Sequence, residues 1–242
     1  MSESEIVKHS KKAYAIIKSP GKSFVHKLEE IFIEIIIIVI AVNISIWFSN
    51  WSEKRHDVKE EKEFFIGLKQ DLLGDIQNMT NSEKFYEHTA QGIRYFLKAK
   101  DGENLNKDSI NTYSDAFFGS TDLDPHIGRY EGLKSSGKFK IIENKELLNN
   151  IIDFHESIIQ RIQDLNEKYY QHNEKIATLI SQNVQLAKNG QASNVSAIIN
   201  RSDFRILLGT SWGIITNNII PIHKTGIDMC NEIIAEIDKE LK

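Results

Sequence analysis

The stretch Ile31-Phe-Ile-Glu34-Ile-Ile-Ile-Ile-Val-Ile-Ala41-Val-Asn43-Ile-Ser45-Ile-Trp47-Phe-Ser-Asn50-Trp51 decides how the rest of the chain is read, because nothing else in it is so apolar. A helix rising about 1.5 Å per residue covers about 30 Å from Ile31 to Trp51, the hydrocarbon thickness of a bilayer. Trp47 and Trp51 stand at one end, where indole rings favour the headgroup region, and a dense charged run begins at Glu53. The stretch is read as a transmembrane helix spanning 31–51, preceded by a short tail, 1–30, and followed by a helical domain, 52–242. A core strand or helix is the competing reading, since isoleucine favours strands. Small residues suited to signal cleavage are poor after the apolar run, so the segment is expected to stay as an anchor.

Orientation is less legible. Lys11, Lys12, Lys18, Lys22 and Lys27 before the segment nearly balance Lys54, Arg55, Lys59, Lys62 and Lys69 after it, so the positive-inside rule does not choose. A short tail before a single span and a large remainder suits a signal-anchor, with the tail in the cytoplasm and the C-terminal domain outside it. The bilayer is then the first partner.

Glu34 is ionisable at membrane depth, which by default raises a functional hypothesis. On a helical wheel Glu34, Ala41 and Ser45 fall within about 20° of one line, and Asn43 points away. Three readings stay open: an interfacial or protonated carboxyl, a contact face for a second copy or another membrane helix, and an ion or proton path.

The chain has 242 residues, a net charge of −4, 40% hydrophobic and 26% charged residues, 3 prolines and one cysteine. That composition excludes a disordered or collagen-like chain, and the single Cys230 excludes an intrachain disulfide and a multi-thiolate zinc site. Interspersed lysines and acids leave no phosphate-backbone footprint, so nucleic acid is not expected as a partner.

Beyond Ser52 the pattern is helical. Phe65, Leu68, Leu72, Ile76, Met79, Tyr86, Ile93 and Phe96 recur at three- and four-residue steps and predict one long amphipathic helix, weakened at Gly67, Gly74 and Gly92 and ended at Lys100-Asp-Gly-Glu-Asn104. Two short helical stretches are expected between Asn106 and Gly137, separated by the turn-rich Gly119-Ser-Thr-Asp-Leu-Asp-Pro125. A second long helix should start at the N-cap Asn144 and run to about Ala187, closed by Lys188-Asn-Gly190. Its stripe is Ile151, His155, Ile158, Ile162, Leu165, Tyr169, His172, Ile176 and Leu179, a coiled-coil alternation. A third helical region opens at Ser202 or Asp203, with Phe204, Leu208, Ile215, Ile219, Ile222, Met229, Ile233 and Ile237 inside and Pro221 kinking or dividing it. The fold class is therefore all-α: an N-terminal transmembrane helix followed by an elongated antiparallel helical bundle of three to four helices.

Chemistry-bearing motifs are few. Gly132-Leu-Lys-Ser-Ser-Gly137-Lys138 has phosphate-loop spacing, but Phe139 stands where the magnesium-binding hydroxyl belongs, so a short helix stopped by Gly137 is the better reading. His155 and His172 lie about 25 Å apart on one helix, too far for one ion, and read as core or interface histidines. The acids read as scattered over solvated faces, and the Asn-x-Ser/Thr triplets at Asn43, Asn78 and Asn194 as chance. No catalytic, cofactor-binding or metal-binding residues are assigned, and no enzyme is expected.

Glu34 with its Ile/Val-rich run, then Asn50-Trp51-Ser-Glu-Lys-Arg55 and Phe65-x-x-Leu68-Lys-Gln-Asp-Leu72, resembles the start of an uncharacterised bacterial family of single-pass membrane proteins carrying a domain of unknown function. Tyr130-Glu131-Gly-Leu133-Lys-Ser135-Ser136-Gly137-Lys138, continuing to Asn144-Lys-Glu-Leu147, resembles its second signature. Here Ser45-Ile-Trp47-Phe-Ser49 replaces the Gln-x-Asn that usually precedes the Asn-x-Trp. The resemblance implies an inner-membrane anchor and a helical extracytoplasmic domain, and no activity. The expected role is a non-enzymatic interaction, scaffold or sensory module that forms an oligomer or docks on another membrane protein. The alternative is a subunit of an ion-coupled or pore-forming assembly that uses Glu34.

Overall fold

The computed structural model describes residues 11, 14, 24–99, 106–113, 115–183, 185–186, 192–193 and 198–242. Most of the expected tail 1–30, the terminator 100–104 and the turn 188–190 lie outside them. The chain divides into two compact units, Met1–Glu61 and Lys62–Lys242.

Helix α1, Phe24–Lys98, contains both the apolar stretch and the amphipathic stripe after it. In the first unit its apolar side chains are unburied: Phe32, Ile35, Ile40, Ile44 and Trp47 are all more than half exposed. It is the one described helix long and apolar enough to cross a membrane.

In the second unit the same helix turns an apolar stripe inward, as the spacing predicts. Phe65, Leu68, Leu72 and Met79 enter one core with Ile142, Leu147, Ile151, Ile162, Ile233 and Ile237. Tyr86, Ile93 and Phe96 enter a second with Phe117, Tyr169, Ile176, Phe204, Leu208 and Ile219. Arg205 donates to the carbonyls of Leu97 and Ala99, so a cation closes the helix end, where the macrodipole is negative.

The middle region holds three short helices where two stretches were expected: α2, Lys107–Thr112, α3, Asp115–Phe118, and α4, Gly128–Ser135. Gly137, at φ 68°, takes the left-handed conformation that favours glycine, and a 3₁₀ turn, Lys138–Ile141, follows. Ile141 and Ile142 are then buried. Helix α5, Lys145–Asp153, begins at Asn144, whose side chain accepts from the Leu147 amide at 3.1 Å and donates to Glu240 at 2.7 Å.

A π-helical turn, Phe154–Ile158, separates α5 from α6, Ile159–Asn183. It inserts a residue into the helical register, which displaces the expected stripe. Below the turn the buried line is Ile159, Ile162, Asn166, Tyr169, Asn173 and Ile176, while Ile158, Leu165, His172 and Leu179 flank it half-buried. The second long helix also ends at Asn183 rather than Ala187. A two-residue antiparallel ladder, β1 (Gln185–Leu186) with β2 (Ala192–Ser193), follows and is a small departure from an all-α chain.

Helix α7, Ser202–Ile214, starts where expected, and a second π turn, Ile215–Ile219, leads into α8, Ile220–Glu240. Pro221 has no amide proton for the carbonyl four residues back, and the widened turn sits where that bond is missing.

Candidate functional site

The line of Glu34, Ala41 and Ser45 is visible as a difference in exposure. Glu34 is 4% exposed, although its neighbours Ile33 and Ile35 are 56% and 52% exposed. Ile31, Ile38, Ala41 and Ser45, on the same line, are half-buried, while Asn43 on the opposite side is exposed. The Ser45 hydroxyl donates to the Ala41 carbonyl at 2.8 Å and the Asn43 amide to Val39 at 2.7 Å. The Ser45 hydroxyl and one N–H of the Asn43 amide are therefore bonded on their own helix. Trp47 and Trp51 are exposed; Phe48 lies 5.8 Å from Trp51, and the Arg55 guanidinium sits 4.9 Å over the Trp51 ring. An aromatic belt capped by a cation suits the bilayer boundary.

The second signature sits on α4 and the turn after it. Tyr130 and Leu133 are buried, whereas Glu131, Ser135, Ser136 and Gly137 are exposed. The Tyr130 ring stacks on His155, with centroids 4.2 Å apart and planes at 15°, and its hydroxyl donates to Glu156 at 2.7 Å. Lys134 donates to the same carboxylate oxygen at 2.5 Å. These two donors hold the Glu156 carboxyl below its usual range, while burial and the Glu156 contact push the Tyr130 phenol up. Ser135 and Ser136 donate to the carbonyls of Gly132 and Leu133, so both hydroxyls cap their own helix. The signature thus locks α4 onto the π turn that carries His155 and Glu156.

His155 is a core histidine, as its position on the stripe suggests. Its Nδ1 bonds the Ile151 carbonyl at 2.9 Å, and burial lowers its pKa. His172 is half-buried, with Nε2 3.0 Å from the Leu207 carbonyl. Burial pushes the Cys230 thiol up, which marks a packed cysteine and not a nucleophile.

One constellation was missed. Along α1, Asp71, Asp75, Asn78, Ser82 and Tyr86 line up at steps of four and three and hold the connecting strap 119–127 and the first turn of α4. Asp71 accepts from Arg129 Nε at 2.9 Å, and Asp75 Oδ1 accepts from the His126 amide at 3.0 Å and lies 2.8 Å from its Nδ1. Asn78 donates to the Asp124 carbonyl at 3.3 Å, and the Tyr86 hydroxyl donates to the Thr121 carbonyl at 3.1 Å. Asp75 is 1% exposed, against the reading of the acids as solvated. Gly67 and Gly74 are not mere weak points: a methyl group at either would strike the Arg129 guanidinium or the His126 ring, so both make room for the strap. The sequence signal was this polar line with two glycines seven residues apart beside it.

Inside the second core lies a buried polar layer. The Tyr86 hydroxyl, whose one proton goes to the Thr121 carbonyl, lies 3.2 Å from Asn166 Oδ1; its ring meets Tyr169 edge-on at 5.6 Å, and His223 lies 6.0 Å away. Asn173 donates to the Gly119 carbonyl at 3.1 Å. Asn166 Nδ2 and His223 Nε2 have no hydrogen-bond partner among the described residues, and the Tyr169 hydroxyl faces Asn173 and Ser211. Burial pushes the Tyr169 phenol up to about 12 and lowers the His223 pKa.

Of the described residues, His56, Asp57 and Glu60 bring one possible metal-ligand atom each to within 4.8 Å of one another; His56 is solvent-exposed and pairs with Glu60 at 3.8 Å across one helical turn. No family model, no curated protein and no solved structure matches the chain.

Proposed function

We propose that this is a single-pass protein of the inner membrane that acts without catalysis as an interaction, scaffold or sensory module. In this reading residues 31–51 cross the bilayer, and the domain beyond them lies outside the cytoplasm as an elongated antiparallel bundle of three to four helices. The observation that carries the reading is the apolar stretch itself, whose side chains the chain leaves uncovered and which lipid would cover at no cost. The resemblance carried by Glu34, Asn50-Trp51 and the Tyr130–Gly137 signature supports the same placement. The module's partner is a second copy or another membrane helix, met along the line of Glu34, Ala41 and Ser45, where small side chains permit close approach.

A second reading is favoured by Glu34, whose low exposure at membrane depth suits a proton or ion carrier in a larger assembly. Glu34→Gln separates the two. A scaffold keeps its cross-linked partners and cellular role in that variant; an ion-coupled subunit keeps its partners and loses the role. Proteolysis of intact spheroplasts tests the placement: cleavage beyond Ser52 from outside supports it, and full protection reverses it.

A further inference from the structure

The strap is fastened to α1 at its middle by one histidine and one carboxylate, and the geometry of that contact makes it sensitive to protons. Asp75 is 1% exposed, and both of its hydrogen bonds fall on Oδ1 and come from His126, one from the backbone amide and one from the ring. Its second oxygen, Oδ2, has no hydrogen-bond partner among the described residues. A carboxylate this deep needs a nearby compensating charge or further donors. The His126 side chain is half-exposed, so a proton can reach the ring without opening the domain. Gly74 lets the ring lie flat on α1, where a methyl group would meet it at 2.7 Å.

His126 is unlike the buried histidines. His155 and His223 place Nδ1 on carbonyls of their own helical runs, Ile151 and Ile219, whereas His126 joins two separate elements through a carboxylate. The charged groups around the contact are mostly acids: Asp71 and Asp75 on α1 and Asp124 on the strap bear on His126, with Arg129 engaged by Asp71. On the inner side Asp75 bears on His155 from the π turn and on Cys230 from α8, and burial shifts both toward their neutral forms. With Arg129 given to Asp71, an imidazolium at position 126 is the cation that faces Asp75.

We infer that His126 and Asp75 form a proton-operated clasp: with the imidazole charged the strap is held against α1, and deprotonation loosens it. The sign follows from the contact with Asp75, which raises the His126 pKa above its ordinary value. The clasp's contribution is fully present below about 6.5, the ordinary histidine value, and is lost as pH rises through the raised one. Loosening has a route inward. Thr121, on the same strap, exchanges two hydrogen bonds with the Tyr86 hydroxyl, so an open clasp frees that phenol at the edge of the polar layer in the second core. This inference stands independently of the membrane reading.

Amide hydrogen exchange of the full chain in lipid nanodiscs tests it, with rates corrected for the intrinsic pH dependence of exchange. Protection of the peptide covering 119–130 is expected to fall severalfold between pH 5.5 and 8.5 as the imidazolium loses its proton, while peptides of the first core hold theirs. His126→Gln should abolish the pH dependence, and Asp75→Asn should do the same if it folds; the exposed His126 variant decides the matter by itself. Equal protection of the wild-type strap at both pH values, or a dependence that survives in His126→Gln, overturns the clasp.

Discussion

The two cores of the domain after Glu61 differ in where they keep their polar groups. In the first, Leu68, Leu72, Ile142, Leu147, Ile151 and Ile162 meet beside Phe65 and Phe154, and the buried Asp75 is held by His126 of the strap. In the second, Tyr86, Phe96, Phe117, Tyr169 and Phe204 surround Asn166, Asn173, Ser211 and His223, several of whose polar atoms are left without partners. Each such orphan costs about 1–3 kcal/mol; Asp75 Oδ2 and His155 Nε2 carry that cost beside the first core, whereas in the second the polar side chains lie within the buried line. Polar residues at heptad spacing in a seam fix register more than they strengthen it. The first core reads as the foundation and the second as the end able to rearrange.

The comparison breaks most visibly at Leu72. Leu72→Ala should cost about 2–5 kcal/mol in denaturant unfolding of the detergent-solubilised chain, because the cavity opens in a core with nothing to fill it. A loss below about 1 kcal/mol would mean the first core is no better packed than the second. A smaller, pH-dependent effect comes from His223. Burial lowers its pKa, so the unfolded chain binds a proton the folded one refuses, and stability present above about 6.5 drains away as pH falls below it. Melting temperatures of His223→Gln should therefore decline less steeply between pH 7 and 5 than those of the wild type. His155 has the same sign in the first core, so some acid loss should persist in the variant. The smallest effect is expected at Ser211, whose fully buried hydroxyl faces Tyr169 without a well-formed hydrogen bond. Ser211→Ala should leave stability unchanged or raise it by up to about 1 kcal/mol, and a marked loss would reveal a hydrogen bond that strengthens the second core.

What the sequence disclosed was local. The N-cap at Asn144, the left-handed stop at Gly137, the start at Ser202 and the stripe of the first helix each depend on a few consecutive residues, and each is found where its chemistry puts it. The register beyond Phe154 was hidden because a π turn has no residue signature of its own. One inserted position moved Asn166 and Asn173 to the centre of the buried line and Leu165 and His172 to its flank. The strap was hidden for a different reason: its contacts join residues roughly fifty apart, so Asp75 looks like one more helical acid until His126 is seen to lie on Gly74. The anchor line was legible as a face, since Glu34, Ala41 and Ser45 share reduced exposure, but what that face meets was not written in the residues themselves.

The proposed function presupposes that residues 31–51 reside in lipid. Alkaline extraction of membranes from cells producing the full chain tests that most directly. The account predicts that the protein stays in the membrane pellet at high pH and leaves it only with detergent; recovery of the intact chain in the aqueous supernatant, monodisperse without detergent, would contradict it.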